Sequence, residues 1–215
     1  MIEMKSKYFS EFLGTAFLFC TVVGSGIMGQ NLSSNESLTL LANTLATVFA
    51  LYFLITIFGD HSSHFNPVVS MVMLVRKEIT TQVCTIFIIL QISGAILGVM
   101  LANYIFELDP VYFSEKPRSG THLFVSEILA TFGLLMVILL SAKEKVAVTV
   151  AAYIGAAYWF TSSTSFANPA GTIGRSFSNT FAGISAHDIL HFCVAQIIGA
   201  FLALIVYRTF FESQK

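Results

Sequence analysis

The chain has 215 residues, 55% hydrophobic and 11% charged, with a mean hydropathy of +0.78 and eleven Lys and Arg against twelve Asp and Glu for a net charge of −1. Soluble domains carry roughly 25% charged residues, so a surface that mostly faces water is excluded, as is disorder, and lipid is the solvent that fits. The near-neutral balance leaves no basic footprint for nucleic acid.

Charge is so sparse that membrane spans can be read from the gaps. Lys5 and Lys7 precede a charge-free run from Phe12 to Asn35. That run exceeds the 7–15-residue apolar core of a signal peptide, which predicts a retained span. Ser37 to Gly59 follows, then a polar run, Asp60-His-Ser-Ser-His64, and Asn66-Pro67. Asn is a preferred N-cap and Pro a preferred first helical residue, so Asn66-Pro67 reads as a helix start. The next charge is Arg76, too close for a span of about 20 residues, which predicts a half-helix. Ile79 to Phe106 is the third span. Leu123 to Ala142 is the fourth, interrupted only by Glu127. Val146 to Gly174 contains the fifth span, a second polar run, Thr161-Ser-Ser-Thr-Ser165, and Asn168-Pro169, again a helix start, with Arg175 close behind. Ile189 to Tyr207 is the sixth.

Three motifs recur in the same order, so the chain reads as a duplication. Ser10-Glu-Phe-Leu-Gly-Thr15 matches Ser126-Glu-Ile-Leu-Ala-Thr131, Phe65-Asn-Pro-Val68 matches Ala167-Asn-Pro-Ala170, and Gln91-Ile-Ser-Gly-Ala95 matches Gln196-Ile-Ile-Gly-Ala200. Three spans per half make the repeat inverted, an arrangement that places a site near the bilayer midplane. Gly94 and Gly98, matched by Gly199 and Ala203, have the spacing for close helix approach. The predicted fold is all-α: six transmembrane helices plus two re-entrant half-helices in one membrane domain over 1–215, with repeats at about 1–108 and 120–211. Eight of the eleven basic residues (Lys5, Lys7, Arg76, Lys77, Lys143, Lys145, Arg208 and Lys215) then share one side, and Lys116 and Arg118 fall on the other. The positive-inside rule makes both termini cytoplasmic.

Irregular backbone at membrane depth lines a cavity or is buried in protein, and a pore is the economical explanation. Glu11 and Glu127 hold matched positions. Carboxylates there serve either a proton relay or, on the preferred reading, as buried acceptors for N–H groups freed by the re-entrant segments. His64 is expected to brace the loop before Asn66. His187 and His191 have i, i+4 spacing but lack a zinc-protease motif, so no metal or cofactor is expected. Cys20, Cys84 and Cys193 read as buried thiols rather than a disulfide framework. No nucleophile elbow or phosphate loop argues for an enzyme.

On Glu11 and Glu127 in their repeat contexts, His64-Phe65-Asn66-Pro67-Val68 and Asn168-Pro169-Ala170, the sequence resembles the aquaporin and aquaglyceroporin (major intrinsic protein) family over nearly its whole length. The resemblance implies a homotetramer in the cell membrane, with one pore per subunit and no nucleic-acid partner. In that family the motif is Asn-Pro-Ala in both halves; here the first copy ends in Val68. It also implies that Asn66 and Asn168 offer their amides to small neutral solutes, and that opposed helix N-termini bar protons and ions. Most family members carry an arginine three residues after the second Asn, where this chain has Gly171; Arg175 follows one turn later, and is expected either to reach back into the pore mouth or, on the preferred reading, to support the pore loop as a buried arginine holding loop carbonyls. By the family pattern the remaining filter positions fall at Ala46 or Thr47, Ala156 and Ser165. A wide filter without fixed charge implies passage of water plus glycerol-like polyols or undissociated metalloid acids such as arsenous acid, since bacterial relatives with an aliphatic residue at the arginine position are associated with arsenic traffic. A water-selective channel is the alternative. A proton-coupled transporter, which also uses inverted repeats, is the rival from another class.

Overall fold

In a computed structural model, which describes residues 2–212, the chain folds into eight α-helices. These are α1 (Ile2–Leu32), α2 (Glu36–Phe58), α3 (Pro67–Val75), α4 (Thr81–Ile105), α5 (Thr121–Leu140), α6 (Val146–Phe160), α7 (Pro169–Arg175) and α8 (Ile189–Phe210). Lys215, counted above among the cytoplasmic cations, lies outside the described residues. Helices α1, α2, α4, α5 and α8 are long and apolar enough to cross a membrane. The sixth expected span is shorter than its charge-free gap: α6 has 15 residues, about 22 Å at 1.5 Å per residue. The rest of that gap unwinds through 161–168 before α7 begins. Helix α1 differs the other way, starting ten residues before the gap at Phe12 and carrying Lys5 and Lys7 within its first turns.

The two halves repeat one arrangement. Helices α1 and α4 run parallel, because Gly94 and Gly98 of α4 press on the backbone of Phe12 and Ala16, and Gly24 further along α1 lies beside Ala102 and Phe106. Helix α8 sits on α5 in the same way, with Gly199 against the backbone at Ile128 and Phe132. A side chain at Gly98 or Gly199 would collide with main-chain atoms of the partner helix. With little hydrophobic drive between helices in lipid, such close contacts supply much of the association energy.

Opposite directions of insertion follow from the ends. Arg76, just after α3, bonds Glu212 beyond α8 at 3.4 Å, and Arg208 donates to the Val75 carbonyl at 3.1 Å. On the other face Arg118, just before α5, donates its backbone N–H to Asp188, just before α8, at 2.7 Å. The starts of α5 and α8 therefore lie opposite their ends and opposite the start of α4. Between the pairs lies a core that includes Phe65, Leu54 and Leu135, and a second, smaller cluster joins Phe166, Ile184 and Phe192. Asn43 of α2 donates to the Val22 carbonyl at 2.7 Å and to Ser25 at 2.9 Å, a polar tie between helices that hydropathy gives no sign of.

Gly98→Val forces the α1–α4 seam apart. The expected cost is about 1–3 kcal/mol, typical of overpacking, seen as a lower midpoint of thermal unfolding in detergent, whereas Leu101→Val on the exposed face of the same helix leaves the midpoint nearly in place.

Candidate functional site: the meeting of the half-helices

Both half-helices start as the sequence predicts. Asn66 caps α3 by accepting from Val68 N–H at 3.2 Å, with Pro67 at the first helical position. Asn168 caps α7 by accepting from Ala170 and Gly171 N–H at 3.0 and 3.2 Å, with Pro169 likewise placed. Each cap then reaches into the other repeat: Asn66 Nδ2 donates to the Ala167 carbonyl at 2.7 Å, and Asn168 Nδ2 to the Phe65 carbonyl at 2.8 Å. Those carbonyls belong to residues held at positive φ, 48° for Phe65 and 46° for Ala167. Left-handed backbone costs a non-glycine residue of order 1–3 kcal/mol, so the matched pair needs support from around it.

Glu11 and Glu127 give that support. Both are fully buried. Glu11 accepts from Ser62 Oγ, His64 N and Phe65 N, and from Gln91 Nε2 at 2.7 Å. Glu127 accepts from Phe166 N and Ala167 N, both at 2.9 Å, and from Gln196 Nε2 at 2.7 Å. Each glutamine continues to a hydroxyl of the half-helix, Gln91 to Ser70 and Gln196 to Thr172. His64 adds a contact between its Nδ1 and Ser70 Oγ at 3.0 Å. The carboxylates thus anchor the backbone N–H groups that the unwound segments leave without helical partners.

A cavity of about 160 Å³ runs past this junction, lined by Asn66 and Asn168 and otherwise mostly apolar. The predicted filter residues distribute unevenly around it. Thr47 lines it, whereas Ala46 is half-buried and outside the lining. Ala156 is exposed on the far side of α6 and takes no part. The cavity face of α6 is Val146, Val150, Ile154 and Tyr158. These recur every fourth residue, and Ala156, two positions from Tyr158, is turned about 200° away from it at 100° per residue. Tyr158 lines the cavity instead. Val68 and Ala170 are packed in the core, and Val69 of α3 faces the cavity.

Gly171 is buried and outside the lining, because the ring of Phe19 from α1 lies against its Cα and fills the space a side chain would need. Arg175 does reach the cavity. Its Nε donates to the Ala182 carbonyl, and its guanidinium lies 3.3 Å from the centre of the Phe166 ring. The cavity lining is therefore not free of cationic groups: Arg175 lies one helical turn beyond Gly171 along α7. Ser165 lines the cavity with its backbone at φ 51° and its hydroxyl without a partner among the described residues. Phe19, Tyr158 and Phe166 were not singled out from the sequence. The fourfold spacing along α6 carries a signal for Tyr158; no sequence signal marks Phe19.

Outside the half-helices, the loops 109–120 and 176–188 lock together. Arg118 donates to the Gly183 and Ser163 carbonyls at 2.8 and 3.3 Å, and Lys116 Nζ to the Phe181 carbonyl at 2.9 Å. Asn103 at the end of α4 holds the Pro110 and Phe177 carbonyls. Burial, then repulsion from Arg118 and Arg175, pushes the Lys116 ammonium down to about 8. His187 and His191, the pair with helical spacing, are exposed and lie in different elements, a short 3₁₀ turn and α8. Cys20, Cys84 and Cys193 are free thiols.

The major intrinsic protein family model matches residues 1–207. The aquaglyceroporin AqpS of Rhizobium meliloti (strain 1021) is 44% identical over 210 residues, covering 96% of this chain and 90% of that protein. A probable aquaporin TIP2-2 of Oryza sativa subsp. japonica is 28% identical over 214 residues, 94% of this chain and 85% of that one. The solved aquaglyceroporin of Plasmodium falciparum superposes with a TM-score of 0.74 over 98% of both chains at 20% identity, a likeness of fold.

Glu127→Ala leaves the Phe166 and Ala167 N–H groups and the Gln196 amide without their acceptor. A buried unsatisfied group costs about 1–3 kcal/mol, so unfolding in detergent moves to markedly lower temperature, and Glu11→Ala does the same. A second expectation concerns pH. Lys116 titrates near 8 folded and at its ordinary 10.5 unfolded, so the folded state releases the proton first and stability rises with pH between about 8 and 10.5. Lys116→Met lacks that rise, measured as the difference between the two proteins' unfolding midpoints across the window.

Proposed function

Because the chain belongs to the major intrinsic protein family, we propose that its cavity is a passive pore for water and for glycerol-like polyols or undissociated metalloid acids such as arsenous acid. The observation that carries the reading is the chemistry of the lumen. Most of its wall is apolar, including Leu18, Leu51, Ile55, Leu134 and Val150, while Thr47, Ser63, His64, Asn66, Tyr158, Ser165, Asn168 and Arg175 supply the polar groups. A small molecule with hydroxyls on a carbon or metalloid frame matches a wall of that kind. The arginine at the outer constriction narrows the wide opening that Gly171 alone implies, so a water-selective pore remains the reading to be separated by experiment.

The helix N-termini of α3 and α7, capped and facing one another at Asn66 and Asn168, put positive partial charge at the same level. Arg175 adds a full charge beyond it. A proton or metal cation meets repulsion there, and a line of waters is broken by the two amides. Against proton-coupled transport stands the state of Glu11 and Glu127: all four carboxylate oxygens accept hydrogen bonds from backbone or amide groups, and neither is in the cavity lining. We further propose that the protein is a homotetramer of the cell membrane with both termini in the cytoplasm, supported by the basic residues around Arg76 and Arg208 and by the exposed apolar faces of the long helices.

Purified protein in liposomes should speed osmotic shrinkage, glycerol entry and arsenite entry while leaving the decay of an imposed pH gradient unchanged. Water flux alone favours the water-selective alternative; uphill solute uptake driven by the pH gradient favours the transporter. Gly171→Arg drives its side chain into the Phe19 ring and suppresses glycerol and arsenite flux more than water flux. Adding Phe19→Ala restores part of the loss. Equal losses for all solutes would sink this assignment of the constriction.

A further inference from the structure

The starts of α5 and α8 stand side by side on the face opposite Arg76 and Arg208. Between them opens a second cavity, of about 370 Å³, that shares no lining residue with the pore. Its wall carries both signs of charge: Arg118 brings a guanidinium, Asp188 a carboxylate, Ser119 and Thr121 hydroxyls, and His191 an imidazole. Asp188 is buried and accepts the Arg118 backbone N–H at 2.7 Å on one oxygen and the Ser119 hydroxyl at 2.6 Å on the other. A carboxylate has about four lone-pair sites, so each oxygen can take a further donor. Gly120, also in the wall, gives α5 no side-chain cap, and the positive end of that helix faces the same space.

Below the cavity the surface changes character. Along α8, Ile198 and Leu202 return to within about 20° of His191, and both are exposed, as are Val125 and Leu129 on α5. The outward groove between the two parallel helices is thus charged at one end and apolar along the rest, a profile that matches an amphiphile. We propose that this groove binds a phospholipid of the leaflet on that face, with the headgroup in the cavity and an acyl chain along the His191–Ile198–Leu202 stripe. Its phosphate faces Arg118, His191 and the start of α5, while Asp188 takes an N–H donor. The ammonium of an ethanolamine headgroup supplies that donor. Choline has no N–H to give, and a glycerol headgroup leaves the carboxylate beside an unbalanced negative charge. Because Arg118 and Asp188 also join the loops 109–120 and 176–188, a seated headgroup braces those loops from the lipid side.

Trp159 is the single tryptophan, so Trp159→Phe combined with Ile198→Trp puts one fluorophore on the stripe. In vesicles of phosphatidylcholine brominated in its acyl chains, that fluorescence is quenched. Bromine-free phosphatidylethanolamine restores it at a mole fraction about three- to tenfold lower than bromine-free phosphatidylcholine needs, the weight of one net hydrogen bond. Adding Asp188→Asn makes the two lipids equal. His191→Glu also abolishes the preference, by setting a second carboxylate against the phosphate, and it leaves the Asp188 contacts in place should the Asn variant not fold. A tryptophan that is not quenched assigns the stripe to a second copy of the chain. Equal recovery with both lipids before either substitution reduces the groove to ordinary boundary lipid, and stronger recovery with phosphatidylglycerol means that phosphate alone is read. Each of these three results overturns the proposal.

Discussion

The constraint on which this structure depends is the need of every backbone N–H and C=O inside a membrane for a partner. Six of the helices satisfy it within themselves. The segments 60–66 and 161–168 cannot, since they are unwound at depth, and two glutamates do for them what a helical turn does elsewhere. Glu11 and Glu127 are charges in a chain that has few, and each is encircled by donors. The glutamines and hydroxyls behind them are matched as well, so each carboxylate fixes the loop, the loop fixes the left-handed carbonyl, and that carbonyl fixes the opposite asparagine.

Much of this was legible in the sequence because the constraint leaves marks there. Charge-free runs, Asn-Pro pairs and the recurrence of Glu and Gln at matched positions report on local chemistry; the Asn-Pro pairs and the matched Glu and Gln fall where the spacing puts them, whereas the charge-free runs misplace the start of α1 and the end of α6. The expected filter positions were read less well, for a physical reason. The lining there depends on the rotation of α6 and on which α1 side chain drops into the space beside Gly171. Counting residues back from Asn168 lands on Ala156, yet the helix ends at Phe160 and the return to the cap is irregular, so the count and the face part company. Phe19 is one phenylalanine among twenty-one, with nothing local to distinguish it.

The absence of arginine at position 171 looks from sequence like a lost charge. In three dimensions the charge is displaced. Arg175 is on the same face of α7 one turn on, stacked on Phe166 and tethered to Ala182, and an aromatic ring occupies the vacated space. The cavity lining thus includes a cation, together with the side chains of Thr47, Tyr158 and Ser165. A residue's absence from a motif is thus a statement about one backbone position, while the field in a pore is set by whichever side chains arrive there.

The crossed pair of bonds at the centre, Asn66 to Ala167 and Asn168 to Phe65, has a consequence for biogenesis. Neither repeat can complete its own cap: the first half leaves the ribosome with the Asn66 amide and the Phe65 carbonyl unpaired, about a hundred residues before their partners are made. The nascent protein must carry an unfinished polar centre through the insertion of α4, α5 and α6, and the last turn of synthesis that matters to the pore is the one that closes both halves at once.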